Sequence, residues 1–127
     1  MVSIRKLDDN KPIYLQIKQL IEDSILDGTI APEERIPSTN ELAQFYKINP
    51  ATARQGVNEL VQEGIVTKRR GVGMFVSEEG REIILAKRKD EFYDHYIIPL
   101  KKEADKLLIS EKQLVEMIIK GGMDRED

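Results

Sequence analysis

The sequence predicts an α+β fold that is mostly helical, and three observations carry that prediction. Two helix-start signals, Ser38-Thr39-Asn40-Glu41 and Asn49-Pro50, stand close together with a tight connection between the helices they open. After Gly64 the apolar spacing changes from a helical period to two β-prone runs, Ile65-Val66-Thr67-Lys68-Arg69 and Met74-Phe75-Val76. Beyond Val76 helical spacing returns: Tyr93, Ile97, Leu100, Ala104 and Leu107 step by four and three, as in a coiled-coil seam. Together these give an N-terminal winged helix-turn-helix over residues 1–77 and a short C-terminal helical dimerisation segment over 78–122. Residues 123–127 form an acidic tail expected to be disordered.

Each element has a local reason. Proline suits the first turn of a helix and Gly28 suits the left-handed residue beyond its end, so Pro12 to about residue 27 reads as a helix with Ile13, Leu15, Ile17, Leu20, Ile21, Ile25 and Leu26 at helical spacing. Thr29 to Pro37 is a connector with one short extended piece at Arg35-Ile36. Ser38 and Glu41 fit a capping box for a helix over 39–46, with Leu42, Ala43 and Phe45 or Tyr46 facing inward. Asn49 caps a second helix over about 50–63, which places Ala53, Val57, Leu60 and Val61 on one side and ends at Gly64. Gly71 and Gly73 allow positive φ at the tip of a β-hairpin. Pro99 falls inside the later seam and should kink that helix or start a new one. Ser110 to Gln113 is another capping box; it opens a helix carrying Leu114, Val115, Ile118 and Ile119 that stops at Gly121-Gly122.

Composition excludes several chemistries. With 40% apolar and 34% charged residues, a core is possible and global disorder is not expected. No apolar run approaches the roughly 18 residues that span a bilayer. The opening residues do not resemble a secretory signal, so a cytoplasmic location is expected. The absence of cysteine removes disulfides, thiolate zinc sites and cysteine nucleophiles, and a lone histidine leaves little for a triad. No cofactor and no metal are expected. His95 lies near Asp94 and Glu91, but a surface or packing role outweighs an acid–base one, and the chain reads as a non-enzyme.

The net charge of −3 seen over the whole sequence is unevenly spread. Residues 1–77 hold ten Lys/Arg against ten Asp/Glu, whereas 78–127 hold ten against thirteen. Within 44–75 the balance is +3, with Lys68-Arg69-Arg70 leading into the glycine tip. In a helix-turn-helix the second helix places its N-terminal residues in the major groove. Here that helix offers Asn49, Ala51, Thr52, Arg54 and Gln55. Asn and Gln can bind adenine, Arg can bind guanine or phosphate, and Thr can reach a phosphate. For Asn49 the capping role competes with base contact; for Arg54 the competing role is a salt bridge to Glu59. Strand alternation sends Lys68 and Arg70 to one face and Arg69 to the other, and a glycine tip lets the backbone approach the minor groove or its phosphates. Charged edge residues that blunt aggregation are the plainer reading of the same hairpin.

These residues also carry a family resemblance. Pro12 to Ile17, Gly28, Ile36-Pro37-Ser38, Glu41-Leu42-Ala43, Asn49-Pro50-Ala51-Thr52, Leu60, Glu63-Gly64-Ile65-Val66 and Arg70 to Val76 resemble the GntR family of bacterial transcription regulators. The short helical tail is similar to the YtrA-type subgroup, which lacks the larger ligand-binding domains found elsewhere in the family. The resemblance implies a dimeric, DNA-binding regulator, usually a repressor. It carries DNA contacts over to Ser38, Thr52, Arg54, Arg70, Gly71 and Gly73. It also exposes two departures: the family commonly has arginine where this chain has Asn40, and Pro-Gly where it has Pro32-Glu33. A phosphate contact could persist through the Asn40 amide, but both changes imply weaker or more salt-tolerant binding.

The tail has more apolar positions than two short helices can enclose, so a partner surface is expected, and a second copy on a two-fold axis is the simplest. Tyr93, Ile97, Leu100, Ala104, Leu107, Leu114 and Ile118 are the expected dimerisation residues. Tyr93, His95 and Tyr96 could line a cleft for an unidentified small-molecule effector, although packing is the commoner role of such residues. The competing function is a winged-helix protein-interaction module without sequence-specific DNA binding. The basic wing opposes it, since a protein-docking face is more often apolar.

Overall fold

The computed structural model describes residues 6–121. The chain divides into two compact units after Lys87. The first contains α1 (Ile13–Leu26), α2 (Thr39–Tyr46), α3 (Pro50–Gln62), β1 (Val66–Arg69) and β2 (Gly73–Val76). α4 (Gly80–Phe92) crosses the division, and its buried Ile84 joins the core of the first unit. That burial explains why the compact unit runs ten residues beyond the end of the hairpin region at 77. The expected tail at 123–127 lies outside the described residues.

The local signals act as read. Ser38 Oγ accepts the Glu41 N–H at 3.0 Å, and Glu41 Oε1 accepts the Ser38 N–H at 2.8 Å. That returned bond holds the Glu41 carboxyl below the usual carboxylate range. Asn49 Oδ1 accepts the Ala51 N–H at 2.8 Å, and Ser110 and Gln113 close the second capping box. Pro12 sits one position before the first helical residue, with an extended ψ of 123°.

α1, α2 and α3 surround a core of Ile17, Leu20, Ile21, Leu42, Val57 and Leu60, closed by Ile65, Val66 and Val76 from the hairpin. Tyr46 packs against this core while Phe45 is exposed, which settles which aromatic of α2 faces inward. Gly56 lets α1 and α3 approach closely: a Cβ there would lie 2.7 Å from the Tyr14 carbonyl oxygen. In the antiparallel hairpin Val66 pairs with Val76 and Arg69 with Gly73. The connector adds an edge to β2, with Glu33 N–H to Val76 O and Ile36 N–H to Met74 O both at 2.9 Å. The expected extended piece at Arg35-Ile36 is therefore present, as a bridge from Arg35 to Phe75.

Charge ties α3 to its neighbours. The Lys18 ammonium of α1 binds Glu59 at 3.2 Å and Glu63, and Lys87 of α4 binds Glu63 at 2.8 Å and Glu22. Burial opposes the charge on Lys18, but its bonds to Glu63 and Glu59 outweigh burial and raise its pKa. Burial likewise acts against the Glu63 carboxylate, and the bonds from Lys18 and Lys87 overcome it and lower the pKa.

The second unit contains a π-helical segment (Tyr93–Ile97), α5 (Ile98–Lys106) and α6 (Glu111–Lys120). Pro99 stands in the first turn of α5 and has no N–H to bond the carbonyl four residues back. The chain widens just before it, and the Ile98 N–H reaches five residues back to the Tyr93 carbonyl. A π turn holds one additional residue, so the four-and-three seam does not run continuously from Tyr93 to Leu100. The expected break at Pro99 thus takes the form of a widened turn.

Candidate nucleic-acid interface

The outer face of α3 is the first part of the site. Ala53, Gly56, Val57 and Leu60 face the core, so helical spacing turns Ala51, Arg54, Gln55 and Asn58 outward, where all four are exposed. Thr52 is half-buried at the edge of this face. Asn58 extends the face beyond the residues expected from the motif; its position seven residues after Ala51 was the available signal.

The Arg54–Glu59 salt bridge offered as an alternative does not form; Glu59 pairs with Lys18 instead. Arg54 makes no ion pair among the described residues. The Asn49 side-chain oxygen is occupied by its capping bond, which leaves its amide nitrogen as the group able to meet DNA. Ser38 Oγ is likewise engaged as an acceptor, and its hydroxyl hydrogen can still be donated. Asn40 is exposed on the first turn of α2.

The wing is the second part. Lys68, Arg70 and Gly71 are exposed, and the Val72 N–H closes the turn onto the Arg69 carbonyl at 2.9 Å. Gly71 has φ of +75°, a conformation that strains a side-chain-bearing residue. Gly73 also has positive φ, +146°, and a Cβ there would in addition lie 2.9 Å from Nε of the flexible Arg35 side chain. Arg69 differs from its neighbours. Its guanidinium lies 4.1 Å from the centre of the Phe75 ring and binds Glu33 at 2.9 Å. Lys68 and Arg70 make no ion pair among the described residues, so the wing offers two uncommitted cations where the sequence suggested three.

Residues 13–76 match the family of bacterial regulatory proteins described as the gntR family. The chain belongs to the GntR family. It is 30% identical over 113 residues to YhcF of Bacillus subtilis, an uncharacterized helix-turn-helix transcriptional regulator, covering 89% of this chain and 92% of that one. It is 36% identical over 74 residues to the transcriptional repressor YtrA of the same organism, covering 58% of this chain and 57% of YtrA. The chain spans about half the length of curated relatives such as YtrA. Among solved structures, a GntR family regulator from Listeria monocytogenes superposes with a TM-score of 0.74 at 28% identity, over 90% of this chain and 98% of that one. The DNA-binding domain of AraR bound to an operator matches with a TM-score of 0.51 at 35% identity, over 56% of this chain and 87% of that one.

The family and the relatives matched here are transcription regulators, not enzymes, and this chain carries their winged helix-turn-helix DNA-binding domain. Among the described residues, no cluster of three or more His, Cys, Asp or Glu could hold a metal ion. Among them, no helix is long and apolar enough to cross a membrane. Tyr93, His95 and Tyr96 are all exposed on the π-helical segment, with the Phe92 and Tyr96 rings 5.4 Å apart.

Proposed function

We propose that the chain is a sequence-specific repressor that binds a palindromic operator as a homodimer. The carrying observation is the outer face of α3, where Ala51, Arg54 and Gln55 are exposed and Arg54 has no internal ion-pair partner among the described residues. In this reading Arg54 and Gln55 meet base edges, while Ser38, Asn40, Asn49 and Thr52 position the backbone. Lys68, Arg70 and Gly71 of the wing meet the adjacent phosphates or minor groove. Arg69 acts mainly by bracing the wing through Glu33 and Phe75. The operator-bound AraR domain supports DNA as the partner of this domain.

The homodimer reading rests on the tail. Tyr93, Leu107, Ile118 and Ile119 are more than half exposed, and Leu100 is also exposed. Association through this surface would bury them and present two copies of α3 to half-sites about one helical turn apart, roughly 10 bp. Occupancy over a promoter would exclude polymerase. The test is to mix the protein with random genomic fragments and sequence what it retains. Enrichment of a palindrome is expected. Retention without any shared sequence would remove the operator reading, and no retention would favour the protein-interaction alternative.

A further inference from the structure

Among the described residues of the first compact unit, two that bear side chains adopt the left-handed backbone region: Glu33 at φ 70° and Lys47 at φ 55°. Both conformations are costly for a residue with a Cβ, and such strain persists where the surroundings or a function retain it. Glu33 has internal compensation, because its carboxylate binds Arg69 at 2.9 Å and its N–H binds Val76 O at 2.9 Å. Lys47 differs. Its N–H donates to the Ala43 carbonyl at the end of α2, a backbone bond that glycine would make equally well. Its side chain is exposed and makes no ion pair among the described residues. No side-chain hydrogen bond or ion pair among the described residues therefore accounts for a lysine at this position.

Its surroundings do. Lys47 and Ile48 form the turn between α2 and α3, and Lys47 stands two residues before Asn49, the cap of α3. When the first turn of such a helix lies in the major groove, the preceding helix crosses the DNA backbone. The turn between them then lies at the rim of the groove, where the phosphates run. A fixed, reversed backbone at that place keeps the ammonium within reach of a phosphate, and the flexible lysine stem makes the final approach.

We infer that Lys47 is a DNA-phosphate contact, held at the groove rim by its left-handed backbone. The inference rests on α3 being the groove helix. It adds a contact outside the residues that the motif selects on α3 and the wing. The ammonium acts as a point charge, so it contributes affinity and register without reading a base.

The test uses the full chain and the duplex that the wild-type protein retains most strongly from a random-sequence pool. Binding is measured by fluorescence anisotropy from low to moderate KCl for the wild type, Lys47→Gly and Lys47→Asn. Both replacements tolerate the left-handed region and remove the charge. The slope of log affinity against log salt should become shallower by about 0.9 in each variant. That change corresponds to about an eightfold loss at 0.1 M salt that disappears toward 1 M. Thermal melts should place both variants within a few degrees of the wild type, which separates lost contact from lost fold. An unchanged slope in both variants, with the wild type binding normally, overturns the assignment of Lys47. Affinity lost equally at every salt concentration overturns it too, since that pattern marks altered geometry and not a lost ionic contact. Failure of the wild type to retain any duplex would instead strike the reading of α3, and the Lys47 contact would fall with it.

Discussion

Gly56 sits in the middle of α3, where helix propensity alone favours alanine by roughly 1 kcal/mol. Packing predicts the opposite sign for Gly56→Ala. The added Cβ would meet the Tyr14 carbonyl oxygen of α1 at 2.7 Å, with two Ile17 side-chain atoms at 3.5 Å. The carbonyl is backbone inside a helix and cannot rotate away, so α1 and α3 must separate to restore ordinary contact. Forcing an extra carbon into a packed core costs about 1–3 kcal/mol, occasionally more. A backbone obstacle belongs at the upper end of that range, and subtracting the propensity gain leaves a net destabilisation of about 1–2 kcal/mol. For a domain of this size each kcal/mol lowers the melting temperature by about 4–8 °C. A fall of about 5–15 °C is therefore expected in a circular-dichroism melt at the helix band. A melting temperature equal to or above the wild-type value would show that the helices relax without cost, and the close-approach reasoning would be wrong.

Other expectations follow from the same geometry. Ser38→Ala removes the acceptor for the Glu41 N–H and should cost about 1 kcal/mol in denaturant unfolding. Arg54→Ala should weaken binding to the enriched operator by about 1–3 kcal/mol and relax its sequence preference, measured by competition between matched and mutated duplexes. Leu107→Glu and Ile118→Glu place charge on the exposed apolar surface of the tail and should shift the sedimentation coefficient from dimer to monomer; unchanged dimers would remove this surface from the interface. Glu63 titrates below its ordinary 4.5 in the fold, so its stabilisation is present above that pH and is lost as pH falls through the depressed value. Lys18 titrates above 10.5, so its stabilisation is present below that pH and is lost as pH rises through the raised value. Denaturant melts across pH should show both limbs, and Glu63→Gln should flatten the acidic one.

The parts of this fold that were legible in the sequence are those written within a few neighbouring residues. Ser38 with Glu41, Asn49 with Pro50 and Ser110 with Gln113 each state a helix start locally, and each start is found where it was expected. The outward setting of Arg54 followed from helical period once Ala53 and Val57 were placed in the core. What could not be read depends on residues distant in the chain. Lys18 meets Glu59 across 41 positions and Lys87 meets Glu22 across 65, pairings fixed by how the helices pack and not by any local pattern. The engagement of Arg69 by Glu33 is of the same kind, spanning 36 positions. Gly56 was hidden for another reason: in a helix sequence it looks like a defect, and only the nearness of the Tyr14 carbonyl gives it a purpose. Departure from the family's Pro-Gly at Pro32-Glu33 was visible, but its backbone consequence, an acidic residue at φ 70°, was not.

The widened turn before Pro99 has a consequence for how the chain tolerates changes in length. A π turn amounts to one surplus residue, and taking that residue out would rotate everything after it by about 100° around the helix axis relative to what precedes it. Leu100 and Leu107 would then swing away from their present heading as a group, with their own spacing intact. Deletion alone would also leave the Pro99 ring against the carbonyl four positions earlier. Removal of the surplus residue is therefore compatible with a regular helix only if the proline is replaced as well. A single-residue gap here, accompanied by replacement of the proline, would mark a chain whose tail presents a different side with nearly the same sequence.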